Sequence, residues 1–215
     1  MRPKLTDEGL LEGVRYIASP NCDERPAGCR VELLVLHYMS LPPGEFGGRA
    51  IEDFFTNRLD PQAHPFFATI ATLRASAHFL IRRNGALIQF VPCAKRAWHA
   101  GESSWWGRER CNDFSIGIEI EGNEEVPFTA AQYRRLAALT QTVMTRYPIS
   151  EIVGHSDIAP WRKTDPGPQF EWARFRAMLE AGRGAIRKTA KAGGRRRADE
   201  DKSATRAVRP RRRRR

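Results

Sequence analysis

Two histidines and an aspartate stand where short apolar runs give way to loops. His37 follows Val31-Glu-Leu-Leu-Val-Leu36, His155 follows Ile152-Val-Gly154, and Asp165 lies within Lys163-Thr-Asp-Pro-Gly-Pro168. If the three converge, two imidazoles and a carboxylate make a nitrogen and oxygen donor set suited to Zn2+, with a fourth position open to water. Such a centre needs a carboxylate to accept the water's proton. It also needs a cation or donor for the oxyanion formed at an attacked carbonyl. Glu119 and Glu121 are candidates for the first role and Lys163 for the second. Spacing alone leaves plainer readings open: a hydrogen-bonded imidazole near a strand end, an aspartate that forms a turn before proline, and glutamates on a solvated strand face.

The elements that must position these residues can be read from periodicity. Residues 1–30 contain Pro20, Pro26, Gly28 and scattered charges, an irregular arm. Val31–Leu36 is rich in strand formers and reads as a buried strand with His37 at its end. Leu41–Gly48 is a loop, and Ile51, Phe54 and Phe55 recur at helical spacing after it. Asn84-Gly85 between two strand-like runs predicts a hairpin with a type I′ turn, which needs positive φ at both central residues. Ser115–Glu121 alternates, with Ile116, Ile118 and Ile120 on one face and Gly117, Glu119 and Glu121 on the other. Thr129 with Gln132 is a capping box, followed by apolar residues at i, i+3, i+4 intervals from Tyr133 to Tyr147. A last helix is expected near Phe170–Leu179. Strands mixed with helices predict an α/β single domain with a central mixed sheet flanked by helices.

The chain has 215 residues and a formal net charge of +11. That charge is not spread evenly. Arg183 to Arg215 carries 15 basic and 3 acidic residues, leaving 21 basic against 22 acidic in residues 1–182. The body is thus near neutral, which argues against a basic nucleic-acid face on it. The tail has almost no large apolar residues and is expected to be disordered. Two readings of it stay open, a lineage-specific extension and a salt-sensitive binder of nucleic acid or anionic surfaces. No apolar stretch approaches a membrane span, and the start lacks the apolar run of a secretory signal, so a cytoplasmic protein is expected. Cys22, Cys29, Cys93 and Cys111 form no C-x-x-C pair and read as reduced thiols. Neither G-x-S-x-G nor H-E-x-x-H occurs, which disfavours a serine hydrolase and a thermolysin-like protease.

Many segments in one order carry a resemblance: Leu-Leu-Val-Leu-His37, Leu41-Pro-Pro-Gly, Asp60-Pro-Gln-Ala-His-Pro-Phe-Phe67, Ser76-Ala-His, Arg96-Ala-Trp-His-Ala-Gly101, Gly107-Arg-Glu-Arg-Cys-Asn-Asp-Phe-Ser-Ile-Gly-Ile-Glu119, Gly154-His-Ser-Asp-Ile-Ala-Pro160 and Arg162-Lys-Thr-Asp-Pro-Gly-Pro168. Together they resemble the AmpD family of bacterial cytoplasmic amidases over roughly residues 5–180. The resemblance implies a zinc-dependent N-acetylmuramoyl-L-alanine amidase on a fold shared with peptidoglycan-recognition proteins. It implies cleavage of the amide between the lactyl group of 1,6-anhydro-muramic acid and L-alanine in recycled wall fragments.

Carried onto matching positions, the resemblance makes His37, His155 and Asp165 the zinc ligands, Glu119 rather than Glu121 the catalytic glutamate, and Lys163 the oxyanion-side cation. It implies substrate contacts by Arg74, Trp98, His99 and Arg110. Composition and resemblance together lead to an expected division into the irregular arm at 1–30, a zinc amidase domain at 31–182 and the tail at 183–215. His64 and His78 lie in matching motifs and are expected to be structural. Tyr38 departs from the family, whose members often carry Asn there. The expected partner is an anhydro-muropeptide, with nucleic acid reached only through the tail, and a monomer is expected. A non-catalytic muropeptide-binding module is the alternative, although such relatives have commonly lost a zinc ligand.

Overall fold

The computed structural model of the chain describes residues 3–182; the expected basic tail lies outside the described residues. In chain order the elements are β1 (Arg15–Tyr16), β2 (Cys22–Asp23), β3 (Leu33–Met39), α1 (Ala50–Phe55), α2 (Pro65–Ile70), β4 (Phe79–Ile81), β5 (Leu87–Gln89), β6 (Arg96–Ala97), β7 (Ser104–Trp105), β8 (Arg108–Glu109), β9 (Ser115–Glu121), α3 (Ala130–Val143), β10 (Glu151–Gly154) and α4 (His155–Ile158). Residues 172–182 are helical as well. Six strands form the main sheet in the order β1-β5-β4-β9-β3-β10, with β4 and β5 antiparallel and every other pair parallel. The sheet is therefore mixed, as the sequence predicts. The arm is not wholly irregular, because β1 adds a parallel edge strand beside β5.

The alternation along β3 and β9 decides what each face of the sheet does. Leu34, Leu36, Ile116, Ile118 and Ile120 pack with Tyr133, Leu136, Ala137 and Val143 of α3 and with Phe175 and Leu179 in one buried cluster. Apolar area removed from water on this face, worth about 25 cal/mol per Å2, is the main term holding the strands in register. The opposite face carries Leu33, Val35, Leu80 and Ile88, and it packs against α1, α2 and the segment around Ala100 and Cys111. His37 and Glu119 belong to that second face, directly opposite one another in the β3–β9 register.

Three local expectations are modified. His37 lies inside β3 rather than at its end, because pairing with β9 continues past the apolar run to Met39 opposite Glu121. The Arg82–Ala86 turn is not type I′. Gly85 alone has positive φ there, +83°, and Arg82 N–H donates to Ala86 O while Gly85 N–H donates to Arg82 O. That is the three-residue loop in which a type I turn ends in a left-handed glycine. Finally, the polar face of β9 is not solvated: all seven residues of the strand are buried. The capping box of α3 forms as read, with Thr129 Oγ1 accepting from Gln132 N–H and Gln132 Oε1 accepting from Thr129 N–H.

Candidate metal centre

The parallel strands deliver the site residues at their carboxyl ends. β3 carries His37, β10 ends at Gly154 and hands His155 to the first position of α4, and the loop after α4 returns Asp165. Ser156 N–H donates to Asp165 O at 2.9 Å, which fixes that loop against the start of α4. The side chains then meet. His37 Nδ1 and His155 Nδ1 are 2.9 Å apart, and Asp165 Oδ2 is 3.0 Å from the first and 3.1 Å from the second. All three residues are buried.

The protonation of this triangle shows what it suits. His155 Nε2 lies 3.1 Å from the carbonyl oxygen of Ala100, which can only accept, so Nε2 carries the proton. In the neutral ring that leaves a lone pair on Nδ1, aimed at the carboxylate oxygen. Burial pushes His37 down to about 4, against the opposing pull of the Asp165 carboxylate beside it, so its ring is neutral near pH 7. Burial alone would raise Asp165, but the nearness of His155 and His37 outweighs that and holds it well below the usual carboxylate range. The two Nδ1 atoms and the ionised carboxylate oxygen converge on one point, and a divalent cation there would bond to all three at once. The donor set fits a metal ion.

Glu119 faces the same space from the neighbouring strand. Only 6% of it is exposed, and its Oε2 is buried without a hydrogen-bond partner. Burial, and next the charge of Asp165, raise its pKa well above the ordinary value, while Lys163 pulls the other way. Leaving a buried acceptor empty costs about 1–3 kcal/mol, so the fold keeps Glu119 open at a price in stability. Lys163, half-buried, lines the cleft beside it. The cleft has a volume of about 830 Å3, with an apolar wall that includes Phe54, Phe66 and Ile70 and a polar rim from Asn123 to Glu125.

Glu121 has a different task. Its Oε1 accepts from Arg82 at 2.7 Å and from Gly47 N–H at 2.8 Å, and Oε2 accepts from Arg83 N–H at 3.0 Å. Arg82 also reaches Glu52 at 3.0 Å and the Gly48 carbonyl at 2.9 Å. This buried network ties the Leu41–Gly48 loop, which lines the cleft, to β4 and β9. Sequence reading missed it, because Arg82 and Glu52 carry no motif and their burial depends on strand register.

The residues expected to touch substrate separate. His99 lines the cleft, within reach of His37. Arg74, Trp98 and Arg110 do not line it. Arg74 turns back to the carbonyls of Ala71 and Leu73, and Arg110 is exposed and paired with Asp113 at 3.4 Å. Trp98 is half-buried, and its side chain helps lower the pKa of the Asp23 carboxyl, behind the larger effect of Arg96. Trp105 and Trp106 lie on the β7–β8 hairpin, with Trp106 80% exposed. His64 caps α2 by accepting from Phe66 N–H, and His78 Nδ1 accepts from Gly117 N–H at 3.0 Å. Tyr38 donates to Glu124, which also accepts from Thr164 beside Asp165.

A candidate metal centre at the carboxyl ends of parallel strands, beside a buried unpartnered carboxylate, has the parts of a hydrolase site. Comparison with known proteins agrees. Residues 27–168 match the family described as N-acetylmuramoyl-L-alanine amidase, and the chain belongs to that family. It is 59% identical to the 1,6-anhydro-N-acetylmuramyl-L-alanine amidase AmpD of Citrobacter freundii over 81% of this chain and 95% of that one. A crystal structure of a selenomethionine AmpD derivative superposes with a TM-score of 0.79 at 59% identity, covering 81% of this chain and 99% of the other. AmiD from E. coli, solved with the substrate anhydro-N-acetylmuramic acid-L-Ala-D-gamma-Glu-L-Lys, gives a TM-score of 0.51 at 33% identity, over 81% of this chain and 65% of that one.

Proposed function

We propose that this chain is a zinc-dependent amidase that hydrolyses the bond between the lactyl group of 1,6-anhydro-N-acetylmuramic acid and L-alanine in recycled peptidoglycan fragments. The observation that carries the reading is the convergence of His37 Nδ1, His155 Nδ1 and Asp165 Oδ2 within 3.1 Å of one another, beside Glu119. The substrates of the AmpD relatives and of AmiD support the choice of bond. Zn2+ held by His37, His155 and Asp165 would supply Lewis acidity, polarising the scissile carbonyl and lowering the pKa of a water.

The chain's own residues do the rest. Glu119 Oε2, buried with nothing bonded to it, takes the proton of the attacking water and passes it to the departing amine of L-alanine. Burial, and next the charge of Asp165, raise its pKa, which favours its holding the proton between uptake and release. The Lys163 ammonium holds the negative charge that develops on the carbonyl oxygen. The apolar wall of the cleft excludes water from around these charges, and the fixed Leu41–Gly48 loop keeps its shape. All five residues come from one chain, so the site needs no second copy. The four cysteines are free, which suits a reducing cytoplasm.

The test is incubation of the purified protein with an anhydro-muropeptide, with and without a chelator. Release of free stem peptide that the chelator abolishes is expected. Binding of the fragment without chelator-sensitive release would instead make the chain a recognition module.

A further inference from the structure

His99 is placed to act on the metal centre rather than on substrate. Its Nδ1 is 3.0 Å from His37 Nε2, and its Nε2 is 3.2 Å from Ser115 Oγ. The His37 and His99 rings meet edge to face, with centroids 5.0 Å apart and planes at 79°. The backbone beneath is pinned, since Asn112 Oδ1 accepts from the N–H of both His99 and Ala100, at 3.1 and 2.8 Å. Space for the ring comes from Gly117 on β9. A Cβ there would lie 2.4–2.6 Å from three atoms of the His99 ring, so any other residue at 117 would push the ring out of line.

We propose that His99 is a positioning residue that holds His37 in the tautomer able to bind a metal ion; this rests on the metal-centre reading above. For His37 Nδ1 to offer its lone pair to an ion, the ring's single proton must sit on Nε2. His99 Nδ1 is there to accept it, and the proton on His99 Nε2 is then donated to Ser115 Oγ. Each ring nitrogen and the hydroxyl oxygen is thereby used once. The second ligand is oriented in the same way, with His155 Nε2–H on the Ala100 carbonyl, next in sequence to His99. One short segment, His99-Ala100, thus sets the tautomer of both imidazoles. Partners of this kind commonly change metal affinity about 10–100-fold when removed.

The experiment is a Zn2+ affinity measurement by competition with a chromophoric chelator, on the full chain and on His99→Asn, His99→Gln and His99→Leu. Asparagine puts Oδ1 where Nδ1 stood, whereas glutamine carries its oxygen at the Nε2 position. Affinity within a few-fold of the parent is therefore expected for His99→Asn, and a loss of about 10–100-fold for His99→Gln and His99→Leu. If His99→Leu does not fold, the asparagine and glutamine pair decides alone. Equal affinity in His99→Asn and His99→Gln would overturn the proposal, as would a raised KM for muropeptide in His99→Gln with unchanged metal affinity. A parent chain that binds no Zn2+ would sink the metal-centre reading itself, a distinct result.

Discussion

Glu119 and Glu121 show how far residue identity goes. Both lie on one face of β9, two positions apart, and alternation alone gives them the same standing. What divides them is the partner each strand supplies: His37 stands opposite Glu119, whereas Arg82 meets Glu121 at 2.7 Å. The ligand set was similarly legible as three residues of the right type, but nothing in their spacing, 118 and 10 positions apart, required that they meet. The division of labour predicts different kinetic losses. Glu119→Gln should cut kcat by about 10²–10⁴, the range for a positioned general base. Lys163→Ala should cost about 10²–10³, the range for one charge-stabilising donor. Steady-state assays on anhydro-muropeptide check both, and a Glu119→Gln enzyme at full kcat would remove Glu119 from its role.

Elements were read well where the signal is local. The capping box of α3 is contained in four residues, and it forms as written. The hairpin at Asn84-Gly85 was found, but its turn type was not, because Asn-Gly also fits a three-residue loop, and the strands close at Arg82 and Ala86 around Arg83, Asn84 and Gly85. The extent of β3 was underestimated for the same kind of reason, since pairing rather than hydrophobicity carries the strand through His37. Arg82 is the clearest case of a role set by register, with Glu52, Glu121 and Arg82 all under 10% exposed. Arg82→Met would leave buried Glu121 with only the backbone N–H groups of Gly47 and Arg83, while Glu52 keeps its two bonds to Arg15, and breaking a buried pair costs about 3–5 kcal/mol. Denaturant unfolding of this variant should show a loss of that order. A change below about 1 kcal/mol would mean that the network contributes little and that the Leu41–Gly48 loop is held by other contacts.

At the scale of the whole molecule, the mixed sheet and the near-neutral body were both visible in the sequence, whereas the edge strand β1, two residues long, had no pattern to betray it. Acid stability follows from what the fold buries. Burial, and then the charge of Arg25, push His78 down to about 3, against an ordinary value near 6.5. The unfolded chain therefore takes up a proton that the folded chain refuses, so this stabilisation is whole above pH 6.5 and is lost as pH falls toward 3. His78→Asn keeps an acceptor for Gly117 N–H but cannot titrate, and its stability should fall less steeply than the parent's between those values. Parallel curves would contradict this. The sequence of the tail sets another expectation. Twelve of its 15 basic residues are arginine, whose guanidinium pairs well with phosphate; if the tail is a nucleic-acid binder rather than a lineage-specific extension, deleting residues 183–215 should abolish salt-sensitive retention on nucleic acid. Equal retention of the truncated chain would rule the tail out.

Metal content, measured by elemental analysis on the purified chain and on two variants, addresses the claim on which the rest stands. A single zinc ion per chain is predicted, retained in Glu119→Ala and lost in His37→Ala. Absence of stoichiometric metal from the parent, or its retention in His37→Ala, would contradict the account.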